Sequence, residues 1–129
     1  MNKVLILDDD KFFAEDLSML LDLEGIKSIV INSADQMYEM VQTLHDCDAV
    51  FLDIMLRSGS HYSVQACEET GEVIYKQLRS LYPDKIIVVT SAKNIGEIDI
   101  LVDEVKTFFI GKPLDGNISD ILSIVTQCG

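Results

Sequence analysis

Five polar side chains stand at the ends of short apolar runs in this 129-residue chain: Asp8 and Asp9 after Val4–Leu7, Asp53 after Ala49–Leu52, Thr90 after Lys85–Val89, and Lys112 just beyond Phe108–Ile110. Carboxylates with no His or Cys among them are hard oxygen ligands that suit Mg2+ or Mn2+, which one or two of them can hold while several waters are retained. An ammonium and a hydroxyl suit the oxygens of a bound phosphoryl group. A carboxylate beside a metal and an ammonium is a competent nucleophile toward phosphorus. Together the five read as phosphoryl transfer onto an aspartate. Taken alone, Asp53 reads equally well as a cap of the turn that follows it, since Asp is common at strand ends.

For these groups to meet, the runs that carry them must be strands of one sheet. Asp48-Ala49-Val50-Phe51-Leu52-Asp53 has four apolar residues in a row, as expected of a strand buried on both faces, and Val4–Leu7 has the same form. Ser28–Ile31, Lys85–Val89 and Phe108–Ile110 supply three more strands. Between them the apolar spacing turns helical. Phe13, Leu17, Leu20 and Leu21 predict a helix over 11–24 that Gly25 terminates, and Ser33-Ala34-Asp35-Gln36 is a capping-box pattern opening a helix whose Met37, Tyr38, Val41 and Leu44 face the core. Gly71–Tyr82 is a third helix, stopped by Pro83. Asn94 with Glu97 caps a fourth that carries Ile98, Leu101, Val102 and Val105, and Ile118, Ile121, Leu122 and Val125 line a fifth. Arg57–Thr70 is an unusually long loop.

Five strands alternating with five helices require crossovers that cover both faces of a parallel sheet. The expectation is a single α/β domain over 1–129: a doubly wound five-stranded parallel sheet of order 2-1-3-4-5, a flavodoxin-like three-layer sandwich. In that order the site lies outside the carboxyl ends of the strands, where strands one and three are neighbours. Asp8, Asp9 and Asp53 meet there, with Thr90 and Lys112 pointing into the same crevice. Like charges about 5 Å apart repel by roughly 3 kcal/mol at an effective dielectric of about 20, so a cation is called for.

At these residues the chain resembles the receiver domains of two-component response regulators. The resemblance rests on the acidic pair Asp8-Asp9, on Asp53-Ile54-Met55, on Thr90 and on Lys112-Pro113, in that order and at the matching strand ends. It implies that Asp53 is the phosphoacceptor, that Asp9 binds Mg2+ directly and that Asp8 binds it mostly through water. It further implies that Met55 gives the metal its backbone carbonyl, that Thr90 and Lys112 hold the phosphoryl oxygens, and that Phe109 is the aromatic switch. The Lys-Pro bond is cis in that family. The implied partners are a histidine kinase or phosphotransfer protein as donor, and a downstream protein or an attached output domain as receiver of the signal. Helix four, strand five and helix five form the implied output surface.

Two departures stand out. Receivers commonly have a proline where this chain has Arg57, and the glycine that opens helix three is here Gly71, which makes the loop about ten residues longer. The segment 103–107 also lacks the small-residue turn usual before strand five.

The charge balance of 22 acidic against 10 basic residues, a net charge of -12, repels nucleic acid and anionic lipid. Cys47, Cys67 and Cys128 have neither disulfide nor zinc-site spacing, and no stretch approaches a membrane span, so a cytoplasmic chain is expected. His45, His61 and Lys93 read as ordinary surface or loop residues. Three other readings are weaker. A Mg-dependent aspartate-nucleophile phosphatase would carry a second Asp at Met55, a flavin carrier needs a phosphate loop after strand one, and a degenerate receiver used only for binding would not keep the acidic cluster. The sequence leaves open whether the chain is a single-domain regulator or the receiver of a longer protein.

Overall fold

The computed structural model describes residues 3–57, 59–62, 69–91 and 106–112, together with Ser119, Leu122, Ser123 and Val125. Each apolar run forms a strand: β1 (Lys3–Leu7), β2 (Lys27–Ile31), β3 (Ala49–Asp53), β4 (Ile86–Ser91) and β5 (Thr107–Gly111). They pair in parallel in the order β2-β1-β3-β4-β5, as the sequence predicts. The helices described in full are α1 (Lys11–Leu23), α2 (Ala34–Met40) and α3 (Thr70–Leu81). The helix expected from Asn94, with Lys93, and most of the last helix lie outside the described residues.

Alternation along the strands splits the core into two layers. Leu5, Leu7, Val50, Leu52, Ile87 and Val89 pack under α2 and α3, while Val4, Ile6, Ala49, Phe51, Ile86 and Val88 pack under α1 with Leu122 and Val125. On α1 the buried stripe is Phe13, Ala14, Leu17 and Leu21. Burying each leucine fully contributes about 1.5–3 kcal/mol.

The second helix is shorter than expected. It ends at Met40 and tightens into a 3-10 turn, Val41–Thr43. Met37, Val41 and Leu44 are buried as predicted, but Tyr38 is 47% exposed. Successive helical residues are about 100° apart, so once Met37 points at the sheet Tyr38 falls on the flank. There it stacks on His61, with ring centroids 4.3 Å apart, and meets Tyr62 edge-on.

That contact gives the start of the loop after Arg57 a surface to pack on. Ser60 N donates to Asp35 Oδ1 (2.8 Å) and Tyr62 donates its hydroxyl to Gln77 Oε1 (2.8 Å). Burial, with Tyr38 beside it, pushes the Tyr62 phenol up to about 12 and keeps it a neutral donor. Gly59 has φ +67°, and a Cβ there would lie 2.6 Å from Asp35 Oδ1. The loop's first residues are thus strapped to α2 and α3. Among the described residues no helix is long and apolar enough to cross a membrane.

Candidate functional site

Four of the five strands, β2 excepted, carry at or just beside their carboxyl end a polar residue that continues the alternation of the layer under α1: Asp8 after Val4 and Ile6, Asp53 after Ala49 and Phe51, Thr90 after Ile86 and Val88, Lys112 after Ile110. A period of two therefore aims all four at the same side of the sheet's carboxyl rim. Phe109 belongs to the other layer, half-buried against the core under α2 and α3.

Asp8 is fixed from several directions. Its N–H donates to Ile31 O (3.1 Å), extending the β1–β2 ladder by one bond. Its carbonyl accepts from Asn32 Nδ2 (2.8 Å), and Oδ1 accepts from Asp10 N (2.9 Å). Asp10 itself turns away from the site: its Oδ1 accepts from Phe12 N (3.1 Å) and Phe13 N (3.2 Å), capping α1. That cap starts the helix directly after the acidic pair and places Phe13 under Lys112, whose Nζ lies 4.7 Å from the ring centroid.

Asp53 is the last residue of β3 and sits opposite Thr90. Its Oδ1 accepts from Met55 N (3.1 Å), while Ile54 N donates to Thr90 O (3.0 Å). Behind it, Gly71 N donates to Ile54 O (3.1 Å), and a Cβ on Gly71 would lie 2.4 Å from both Asp53 O and Ile54 Cα. Only glycine lets α3 begin so close to Asp53. Lys112 N donates to Ser91 O (2.9 Å), carrying the last strand to its functional residue. Pro113, and with it the geometry of the Lys-Pro bond, lies outside the described residues.

Lys112 Nζ is 2.8 Å from Asp8 Oδ2 and 3.5 Å from Asp53 Oδ1. Asp8 and Asp53 are almost fully buried. Each of Asp8, Asp9 and Asp53 offers a carboxylate oxygen within 4.8 Å of the others. At that spacing each pair of charges repels by about 3 kcal/mol at an effective dielectric of about 20. One ammonium does not balance three carboxylates. Burial, and then the charge of Asp8, push the Asp53 carboxyl up to about 7 against the opposing pull of Lys112. Burial works against the Lys112 ammonium, but its hydrogen bond to Asp8 and the charge of Asp53 outweigh that and hold it above its ordinary value. An all-oxygen cluster with an excess of negative charge fits a hard divalent cation. Asp9 is the most accessible of the three, with its side chain 28% exposed.

One participant escaped the sequence reading. Arg57 N donates to Asp9 Oδ2 (3.4 Å) and its Nε lies 3.8 Å from the same oxygen. Nothing in the spacing of residues 9 and 57 signals this, because it depends on how the loop leaves β3.

No protein-family model matches the chain. The transcriptional regulatory protein CpxR of Klebsiella pneumoniae is 28% identical over 91 residues, which is 70% of this chain and 34% of the relative's length. The match thus spans about a third of that curated relative. Among solved structures, a CheY-like response regulator receiver domain from Methylobacillus flagellatus superposes with a TM-score of 0.74 and 24% identity, covering 97% of this chain and 98% of that one. A response regulator protein from Burkholderia pseudomallei, solved with a phosphorylated aspartic acid, a calcium ion and citrate, gives a TM-score of 0.69 at 19% identity over 96% of this chain and 72% of that one. The chain has the receiver fold, and it resembles response regulators in sequence over those 91 residues.

Proposed function

We propose that this chain is a response-regulator receiver that accepts a phosphoryl group on Asp53 in a Mg2+-dependent reaction, in the cytoplasm. The observation that carries the reading is the convergence of three carboxylates and one buried ammonium at the carboxyl rim of a receiver-like sheet. Asp8, Asp9, Asp53 and the Met55 carbonyl would hold the cation. When bound, it would cancel part of the carboxylate charge and share the charge on the phosphoryl oxygens.

The rest of the chemistry falls to the chain. Asp53 Oδ attacks phosphorus; the bond from phosphorus to the donor's histidine nitrogen breaks, and that nitrogen keeps the electron pair. Lys112, already 3.5 Å from Asp53 Oδ1, stabilises the transferred oxygens, and Thr90, across the β3–β4 ladder, offers its hydroxyl. Proton balance favours the same direction: ionised Asp53 is the nucleophile, and neutralising its surroundings lowers its affinity for a proton. Adding about two negative charges then shifts Thr90, and Phe109 turns inward, changing the surface of helix four, β5 and the last helix, roughly 94–127. A downstream protein or an attached output domain reads that surface. With a net charge of -12 the domain does not bind DNA itself.

Incubation with acetyl phosphate and Mg2+ followed by intact mass measurement tests the reading. A single added phosphoryl group is expected, lost in Asp53→Asn and blocked by EDTA; full uptake by the Asn variant would refute the assignment. Mg2+ binding, followed by amide shifts because the chain has no Trp, is expected to suffer more from Asp9→Ala than from Asp8→Ala. Asp8 is already engaged by Lys112 and Asp10 N, whereas Asp9 is partly exposed and meets the exposed Arg57.

A further inference from the structure

Among the described residues two cations touch the acidic cluster, in different ways. Lys112 is buried with Asp8, its side chain 16% exposed against 1%, and cannot leave without stranding that carboxylate. Arg57 meets Asp9 from outside, with its side chain 94% exposed. An exposed pair of this kind is weak and exchangeable. Its backbone is nevertheless held in place, because the chain is committed to β3 on one side and strapped to Asp35 through Gly59 and Ser60 on the other. Beside Asp9 the guanidinium stem lines a hollow of about 250 Å3 with Lys11, Asn32 and Leu56. The side chain therefore has room to swing while its root stays at the mouth of the site.

We propose that Arg57 is an exchangeable counter-charge on Asp9: it neutralises that carboxylate in the metal-free chain, is released when Asp9 ligates a divalent cation, and then draws the anionic phosphoryl donor to Asp53. The inference rests on the phosphoacceptor reading above but adds a residue to it. Competition for a shared oxygen makes Arg57 oppose cation binding, and the freed guanidinium favours the donor. One substitution should thus move two measurable quantities in opposite directions.

In the unphosphorylated chain at low ionic strength, Arg57→Gln should tighten Mg2+ binding about two- to fivefold, the range set by exposed ion pairs, and the difference should shrink in high salt. At saturating Mg2+, the same variant should take up phosphate from acetyl phosphate with a KM raised severalfold and a maximal rate little changed. Arg57→Lys should restore most of the KM. An unchanged Mg2+ affinity in Arg57→Gln would overturn the exchange by itself, and so would an unchanged KM. If the unaltered chain takes up no phosphoryl group, the reading of Asp53 falls, and the Mg2+ titration still decides whether Arg57 competes for Asp9.

Discussion

At the amino end of the sheet, as at the carboxyl end, polar side chains reach between the layers, but there Tyr82, Arg79 and Lys85 each find neutral partners. Tyr82 donates its hydroxyl to Val41 O (2.5 Å) and accepts from Leu44 N (3.1 Å). Arg79 Nη1 donates to Pro83 O (3.1 Å) and Lys85 O (2.7 Å), and its Nη2 to Lys106 O (3.3 Å) and Thr107 Oγ1 (2.6 Å), tying α3 to the starts of β4 and β5. Lys85, its ammonium pulled down by burial, donates to the Cys47 carbonyl and lies over the Tyr82 ring. At the other rim three carboxylates share one buried ammonium. One end spends its polar groups on joining elements; the other keeps an excess of negative charge that a bound cation would relieve. The difference separates structure from function without reference to any relative.

The contrast predicts opposite signs. Asp53→Asn should abolish phosphoryl uptake and make the metal-free chain more stable. The folded-state carboxyl titrates at about 7 and the unfolded one near 3.8, so folding holds a proton between those values. The stability that this protonation preserves is full below about pH 4 and is lost as pH rises through about 7. The gain in Asp53→Asn over the unaltered chain should therefore reach a few kcal/mol at pH 8 and approach zero at pH 4, as read by urea unfolding. Added Mg2+ should narrow the gap at pH 8. A variant no more stable than the parent at pH 8 would remove the imbalance on which the comparison rests.

At the amino end the expected effect is smaller and reversed. Tyr82→Phe removes the hydroxyl that bridges Val41 O and Leu44 N and should cost about 1–3 kcal/mol, while uptake of phosphate from acetyl phosphate stays within twofold. A stable Tyr82→Phe chain with impaired uptake would mean that the two ends are not separable.

The smallest effect is expected in the long loop. Its first residues face α2 and α3, so replacing residues 58–68 by a two-residue turn should change the half-life of the aspartyl phosphate by less than about twofold. A much faster loss would make the segment a lid that excludes water.

What could be read in advance follows from where information is local. The strands, their order and the rim residues were legible because runs such as Val50–Leu52 are apolar on both faces and stop on charges, and the period of two then decides the side. Asp10 had a legible role that the acidic run concealed: it precedes the apolar stripe of α1 as a cap does, and its carboxylate accepts from Phe12 N and Phe13 N. Lys106 was not legible. Its φ of +63° does the work of the small-residue turn that the sequence lacks, a conformation costing about 1–2 kcal/mol in a residue with a Cβ. Bonds from Ile87 N (2.9 Å) and Arg79 to its carbonyl help offset that cost. The outward turn of Tyr38 and the approach of Arg57 to Asp9 likewise depend on tertiary placement, which no spacing encodes.

The strapped loop also bears on how the chain finds its fold. Pairing β3 with β4 closes a crossover that runs from Asp53 to Ile86. Closure entropy grows only as the logarithm of length, so extending such a crossover from about 20 to about 30 residues costs roughly 0.4 kcal/mol. A stacked ring pair and one backbone bond to Asp35 are of the same order. The stretch after Asp53 can therefore lengthen, shorten or accept a foreign peptide at a cost of about 1–3 kcal/mol where those contacts are lost, and a grafted epitope or fluorophore placed there would report on Asp53 from a few residues away.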